Sequence, residues 1–173
     1  MFTTFNHHLL NAVIVLVPFL LVTYCCFYHQ VKSTGDYYLF DPRNSNDPIL
    51  KAEGGTFEVH WSHYAGIAKL CITLSAGAIA FITNALVNDA TAKSIVGQRL
   101  VYDAPIEVGF FGSSIFLLVC FLAWMANCYE AYCHKAAHDS YHAWKYATTI
   151  SLGLNGFLAF IFAFAWLGVN LFW

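Results

Sequence analysis

Four long apolar runs leave this chain few ways to fold. Leu9–Tyr28 carries no charge, and Tyr64–Val87 is broken only by Lys69 near its start. Val108–Cys128 and Ala147–Trp173 complete the set. A helix of about 20 mostly apolar residues crosses roughly 30 Å of hydrocarbon, and every run reaches that length. Inside a bilayer each backbone N–H and C=O must bond internally, so only helices and closed barrels can span it. Barrel strands are about ten residues of alternating polarity, whereas these runs are continuous and twice as long. The chain is therefore expected to be all-α: a four-transmembrane-helix bundle with short loops, one integral membrane domain over residues 1–173. Composition agrees, with 59% hydrophobic and 10% charged residues where soluble domains carry about 25% charged.

The first run has the features of a retained span. Met1–Leu10 holds no Lys or Arg, and the run ends in Tyr24-Cys-Cys-Phe-Tyr28, unlike the basic start and small-residue cleavage site of a signal peptide. Orientation follows from the basic residues of the loops. The first and third loops with their flanks hold Lys32, Arg43, Lys51, Lys69, Lys135 and Lys145, against Lys93 and Arg99 in the second. Loops one and three are thus expected in the cytoplasm and both termini outside. Lys69 can snorkel back to the cytoplasmic surface, where Trp61, Tyr64, Tyr129, Tyr132 and Trp144 form an aromatic belt.

The loops are connectors. The first contains Asp41-Pro-Arg-Asn-Ser-Asn-Asp-Pro48 and Gly54-Gly55, both turn-rich, with Tyr37–Phe40 and Thr56–Val59 as candidate short strands. The second, Asn88–Glu107, has Gly97 and Pro105 as breakers. No nucleotide-binding glycine motif or basic cluster is present, so nucleic acid is not an expected partner. The third loop lacks Pro and Gly between Cys128 and Lys145, so the third span can continue into the cytoplasm as a helix.

That third loop carries Glu130, His134, His138 and His142 at a spacing of four, a slanted stripe on a helix of 3.6 residues per turn. His29, His60 and His63 fall on the same side of the membrane. Two readings follow. Neutral imidazole is a common ligand of Fe, Cu and Zn, and His at i and i+4 can hold a metal, so His134, His138, His142, His60, His63 and Glu130 are candidate ligands of a transition metal. The other reading is a set of amphipathic residues at headgroup level, and the sequence favours it. Membrane-bound iron hydroxylases use paired His-His boxes on the cytoplasmic side, and the one pair here, His7-His8, lies on the opposite side. Haem ligation between spans needs a mid-span His, and none is present. The cysteines form no C-x-x-C pair. Cys71 and Cys120 are expected to pack, and Cys25 and Cys26 lie where palmitoylation occurs.

The spans carry small residues that let helix backbones approach. These are Ser75-Ala-Gly-Ala78 and Ala80 in the second, Gly109, Gly112, Ser113 and Ser114 in the third, and Gly153, Gly156, Ala159 and Ala163 in the fourth. Thr73 and Thr83 can hydrogen-bond across helices. Asn155 is the most deeply placed polar residue and is expected to bond between helices. No span is expected to carry a membrane-centre carboxylate or a row of charges, as a proton relay or an ion-coupled transporter would.

The stretch Lys69-Leu-Cys-Ile-Thr-Leu-Ser-Ala-Gly-Ala-Ile-Ala80 resembles the second span of small four-helix bacterial membrane proteins of unassigned function. A third span running into a polar helix, and a fourth with Asn155 before Gly156, are similar in layout. The resemblance implies a bacterial inner membrane, and some such proteins are suspected pore-forming effectors. The expected function is non-enzymatic: an accessory subunit of a membrane complex or a homo-oligomeric pore. Its partners would be the lipid bilayer and other membrane subunits or copies of itself. The alternative is a metal-binding membrane protein or metal-dependent membrane enzyme built on the cytoplasmic-side histidines.

Overall fold

In the computed structural model the described backbone comprises residues 2–34, 56–87, 95–133 and 143–172, with side chains described at 16–33, 62–87, 98, 102–128 and 143–172. All of it is helix. The elements are α1 (Phe2–Thr34), α2 (Thr56–Val87), α3 (Ile95–Cys133) and α4 (Ala143–Phe172). Among the described residues, Ser62–Val87, Tyr102–Cys128 and Ala143–Phe172 are long and apolar enough to cross a membrane. The shortest has 26 residues, about 39 Å at 1.5 Å per residue and longer than the hydrocarbon layer. The chain is a helical membrane protein with three such stretches, and α1 is a helix that is not one of them.

The helices extend beyond the apolar runs. Thr56–Val59 is the first turn of α2 rather than a strand, because nothing between Gly55 and Ser62 breaks a helix. Its candidate partner Tyr37–Phe40 lies outside the described residues. In the second connection α3 begins at Ile95 and runs through both Gly97 and Pro105. Proline removes a single backbone hydrogen bond, and membrane helices tolerate that where neighbouring elements pack around them. Glu107 therefore belongs to a helix and to an apolar stretch, not to a loop.

Buried positions follow a regular repeat. On α3 the seam runs through Ala104, Glu107, Phe111, Ser114, Leu118, Phe121, Met125 and Cys128, with Gly109 and Leu117 buried beside it, and on α2 it runs through Ala65, Ala68, Cys71, Ser75, Ala78, Ile82 and Ala85. Steps of three and four mix along both helices, close to the seam of left-handed antiparallel or parallel helix pairs. α3 packs along both α4 and α2, α1 lies mainly against α4, and α2 and α4 barely meet. Two hydrophobic clusters result. One gathers Val31, Cys71, Phe121, Met125 and Tyr146 where α1 and α3 end and α4 begins. The other gathers Ile82, Ala104, Phe111, Ala163 and Leu167 at the opposite end.

α3 and α4 approach closely at Gly156. A Cβ there would stand 2.8 Å from Leu118 Cγ and 3.3 Å from Leu117 Cβ. Ser114 Oγ uses the gap to donate to the Gly156 carbonyl at 2.8 Å. The small residues of α2 divide differently. Ser75 and Ala78 face the bundle, whereas Gly77 and Ala80 are exposed. Among the described residues Thr73 and Thr83 bond within their own helix rather than across: they donate to carbonyls four residues back, Lys69 at 2.9 Å and Ile79 at 2.8 Å. A threonine in hydrocarbon has that acceptor always within reach.

Candidate functional site

Between the two apolar clusters the helices place polar side chains that bond to one another across helices. Thr23 of α1 and Ser151 of α4 sit with their hydroxyl oxygens 2.9 Å apart. Ser151 Oγ also donates to the Leu20 carbonyl at 2.9 Å. Asn155, only 1% exposed, donates through Nδ2 to Thr23 Oγ1 at 2.8 Å and to the Ser151 carbonyl at 2.8 Å. Asn155 thus makes the interhelical bond expected of it, and its partner is α1. Thr23 had no sequence signal, since a lone Thr in an apolar run most often bonds back to its own helix. It does that as well, to the Phe19 carbonyl at 2.8 Å.

A second polar pair joins α3 to the last turn of α4. Asn170 Nδ2 donates to Glu107 Oε1 at 2.8 Å. Glu107 is fully buried, and among the described residues its Oε2 has no hydrogen-bond partner. The negative charge of Asp103, one turn earlier on α3, reaches it. Buried charges are normally paired, so this carboxyl stands out. Ser75 Oγ is the other buried side-chain oxygen without a partner among the described residues.

A groove of about 310 Å³ opens between α2 and α4 where the two helices diverge, floored by α3. Tyr64, Ile67 and Cys71 form one wall, Ile150, Gly153 and Phe157 the other, and Leu118 and Phe121 the floor. Its one hydroxyl apart from that of Tyr64, Thr149 Oγ1, already donates to the Lys145 carbonyl at 2.9 Å. Cys71 is buried there as a packing residue, and Cys120 is half-buried. Cys25 and Cys26 are exposed on α1.

The histidine candidates fall mostly beyond reach of this geometry. His134, His138 and His142 lie outside the described residues, and Glu130 and His60 occupy helical positions whose side chains are not described. His63 is exposed on α2, and His29 is exposed near the end of α1. Among the described residues no group of three or more His, Cys, Asp or Glu comes together. Of the aromatic belt, Trp144 is exposed, with its ring 5.8 Å from that of Trp124 and Lys145 Nζ 5.7 Å from its centroid. Sequence reasoning missed Glu107. The available signal was the buried repeat of α3, which runs from Phe111 back to Ala104 without a break. The chain matches no protein-family model, no curated protein and no solved structure, so a functional reading rests on these residues.

Proposed function

We propose that this chain is a non-enzymatic subunit of a membrane assembly, with α1 as a fourth span and its contacts made through helix faces. The observation that carries this reading is the outward side of α2. Gly66, Thr73, Gly77, Ala80 and Asn84 are all exposed, and at 100° per residue they share one face opposite the seam to α3. Nothing lies within 4 Å of a Cβ built at Gly66 or Gly77. Small residues on a membrane helix allow a second backbone to approach, and an amide such as Asn84 bonds better to another helix than to lipid. The occupant is another copy of the chain around a pore, or a larger complex that this subunit accompanies. The likeness of Lys69–Ala80 to small bacterial four-helix proteins, among them suspected pore formers, supports the first form.

The experiment is the size of the particle extracted in mild detergent, for wild type and for Gly77→Leu with Ala80→Phe. Bulk on that face should leave helicity intact and reduce the particle toward a single chain. A double variant that assembles like wild type rules out α2 as the contact. His134→Ala with His138→Ala separates this reading from the metal one: an assembly subunit keeps its size, whereas a metal protein loses bound Fe, Cu or Zn.

A further inference from the structure

We propose that the carboxyl of Glu107 is a binding site for a small monovalent cation, a hydron or an alkali-metal ion, enclosed where α3 begins its apolar stretch and α4 ends. The residue is 0% exposed. Its Oε1 is answered by the Asn170 amide at 2.8 Å, and its Oε2 by no described residue. Along the buried seam it lies between Ala104 and Phe111, both in an apolar cluster. A carboxylate in such surroundings is stable only with positive charge beside it.

Among the described residues the groups facing it supply none, and the side chains of Lys93 and Arg99, earlier in the chain than Glu107, lie outside them. On its own helix the titratable neighbour is Asp103, itself acidic. α4 presents the neutral Asn170, and α2 contributes Ala78, Ile82 and Ala85 to the same cluster. His7 and His8 occur near the start of α1, and their side chains lie outside the described residues. The carboxylate carries one negative charge, shared over both oxygens, and one positive charge neutralises it, which favours a monovalent species. Both sources share the chemistry of a single positive charge seated on Oε2.

The test is modification of the full-length protein in lipid nanodiscs by dicyclohexylcarbodiimide, which attacks carboxylic acids in apolar surroundings, read by intact and peptide mass. One adduct is expected at neutral pH, on Glu107, and it should be lost in Glu107→Gln. If the ligand is an alkali-metal ion, added NaCl at constant pH slows the reaction several-fold. If it is a hydron, only alkaline pH does so. Three results overturn the proposal. One is the absence of an adduct at any pH in a preparation whose exposed carboxyls react with a water-soluble carbodiimide. Another is a rate indifferent to both pH and NaCl. The third is an adduct that forms only in His7→Ala with His8→Ala, which would make a histidine of the chain the partner.

Discussion

The Asn170 amide donates to Glu107 Oε1 at 2.8 Å and thereby joins the last turn of α4 to the apolar part of α3. The pair closes the same end of the bundle that Ile82, Phe111 and Leu167 fill. Its two members contribute unequally to stability. Asn170→Ala strips the only described donor from a buried acid and should cost about 1–3 kcal/mol, the penalty of an unanswered buried polar group. Glu107→Gln keeps an acceptor for Asn170 in a neutral side chain of the same shape, so its stability should equal or exceed that of wild type. Thermal unfolding in detergent gives the order, and the reverse order contradicts this view of the pair.

The contact of Gly156 with Leu118 yields a second expectation. A methyl group at Gly156 has 2.8 Å to Leu118 Cγ, so Gly156→Ala should destabilise by about 1–3 kcal/mol through overpacking. Leu118→Ala in the same chain opens the space and should recover part of that loss. A double-mutant cycle measures the coupling. Additive costs would mean that the two helices are not held this close.

Asn155 and Thr23 give a third. Their bond is one of the polar ties between α4 and α1, beside those of Ser151 to Thr23 and to the Leu20 carbonyl, and such bonds in membrane proteins are worth about 0.6 to 2 kcal/mol. Asn155→Leu should therefore loosen α1 before the α3–α4 pair. Amide exchange resolved by peptide reads this directly, with faster exchange expected around Leu20–Tyr24 and little change around Ser114. Uniform loosening of all helices would contradict it.

Much of this architecture was legible from the sequence because hydrocarbon imposes a simple rule: twenty apolar residues in a row, and the backbone must be helical. Tyr64–Val87 lies within Ser62–Val87, and Ala147–Trp173 overlaps Ala143–Phe172. The ends were harder to read. Pro105 and Glu107 look like the edge of a loop, yet the seam decides otherwise, since a helix already packed at Phe111 and Ser114 gains more by continuing than it loses at one proline. Which small residues meet was also hidden, because Gly77 and Ala78 are neighbours in sequence and point to different sides. Asn155 was identifiable as an interhelical donor, but its partner was not, as only the antiparallel register of α1 and α4 brings Thr23 to it. The histidine stripe remains a sequence feature, with His134, His138 and His142 beyond the described residues.

The most direct test of the proposed assembly is the native mass of the wild-type protein released from its own membrane into lipid nanodiscs. The expected result is a discrete particle heavier than one 19.4 kDa chain, made of several copies or of this chain with a partner. A homogeneous single chain, unchanged across expression levels and lipid compositions, would contradict the assembly reading and leave the outward face of α2 to lipid.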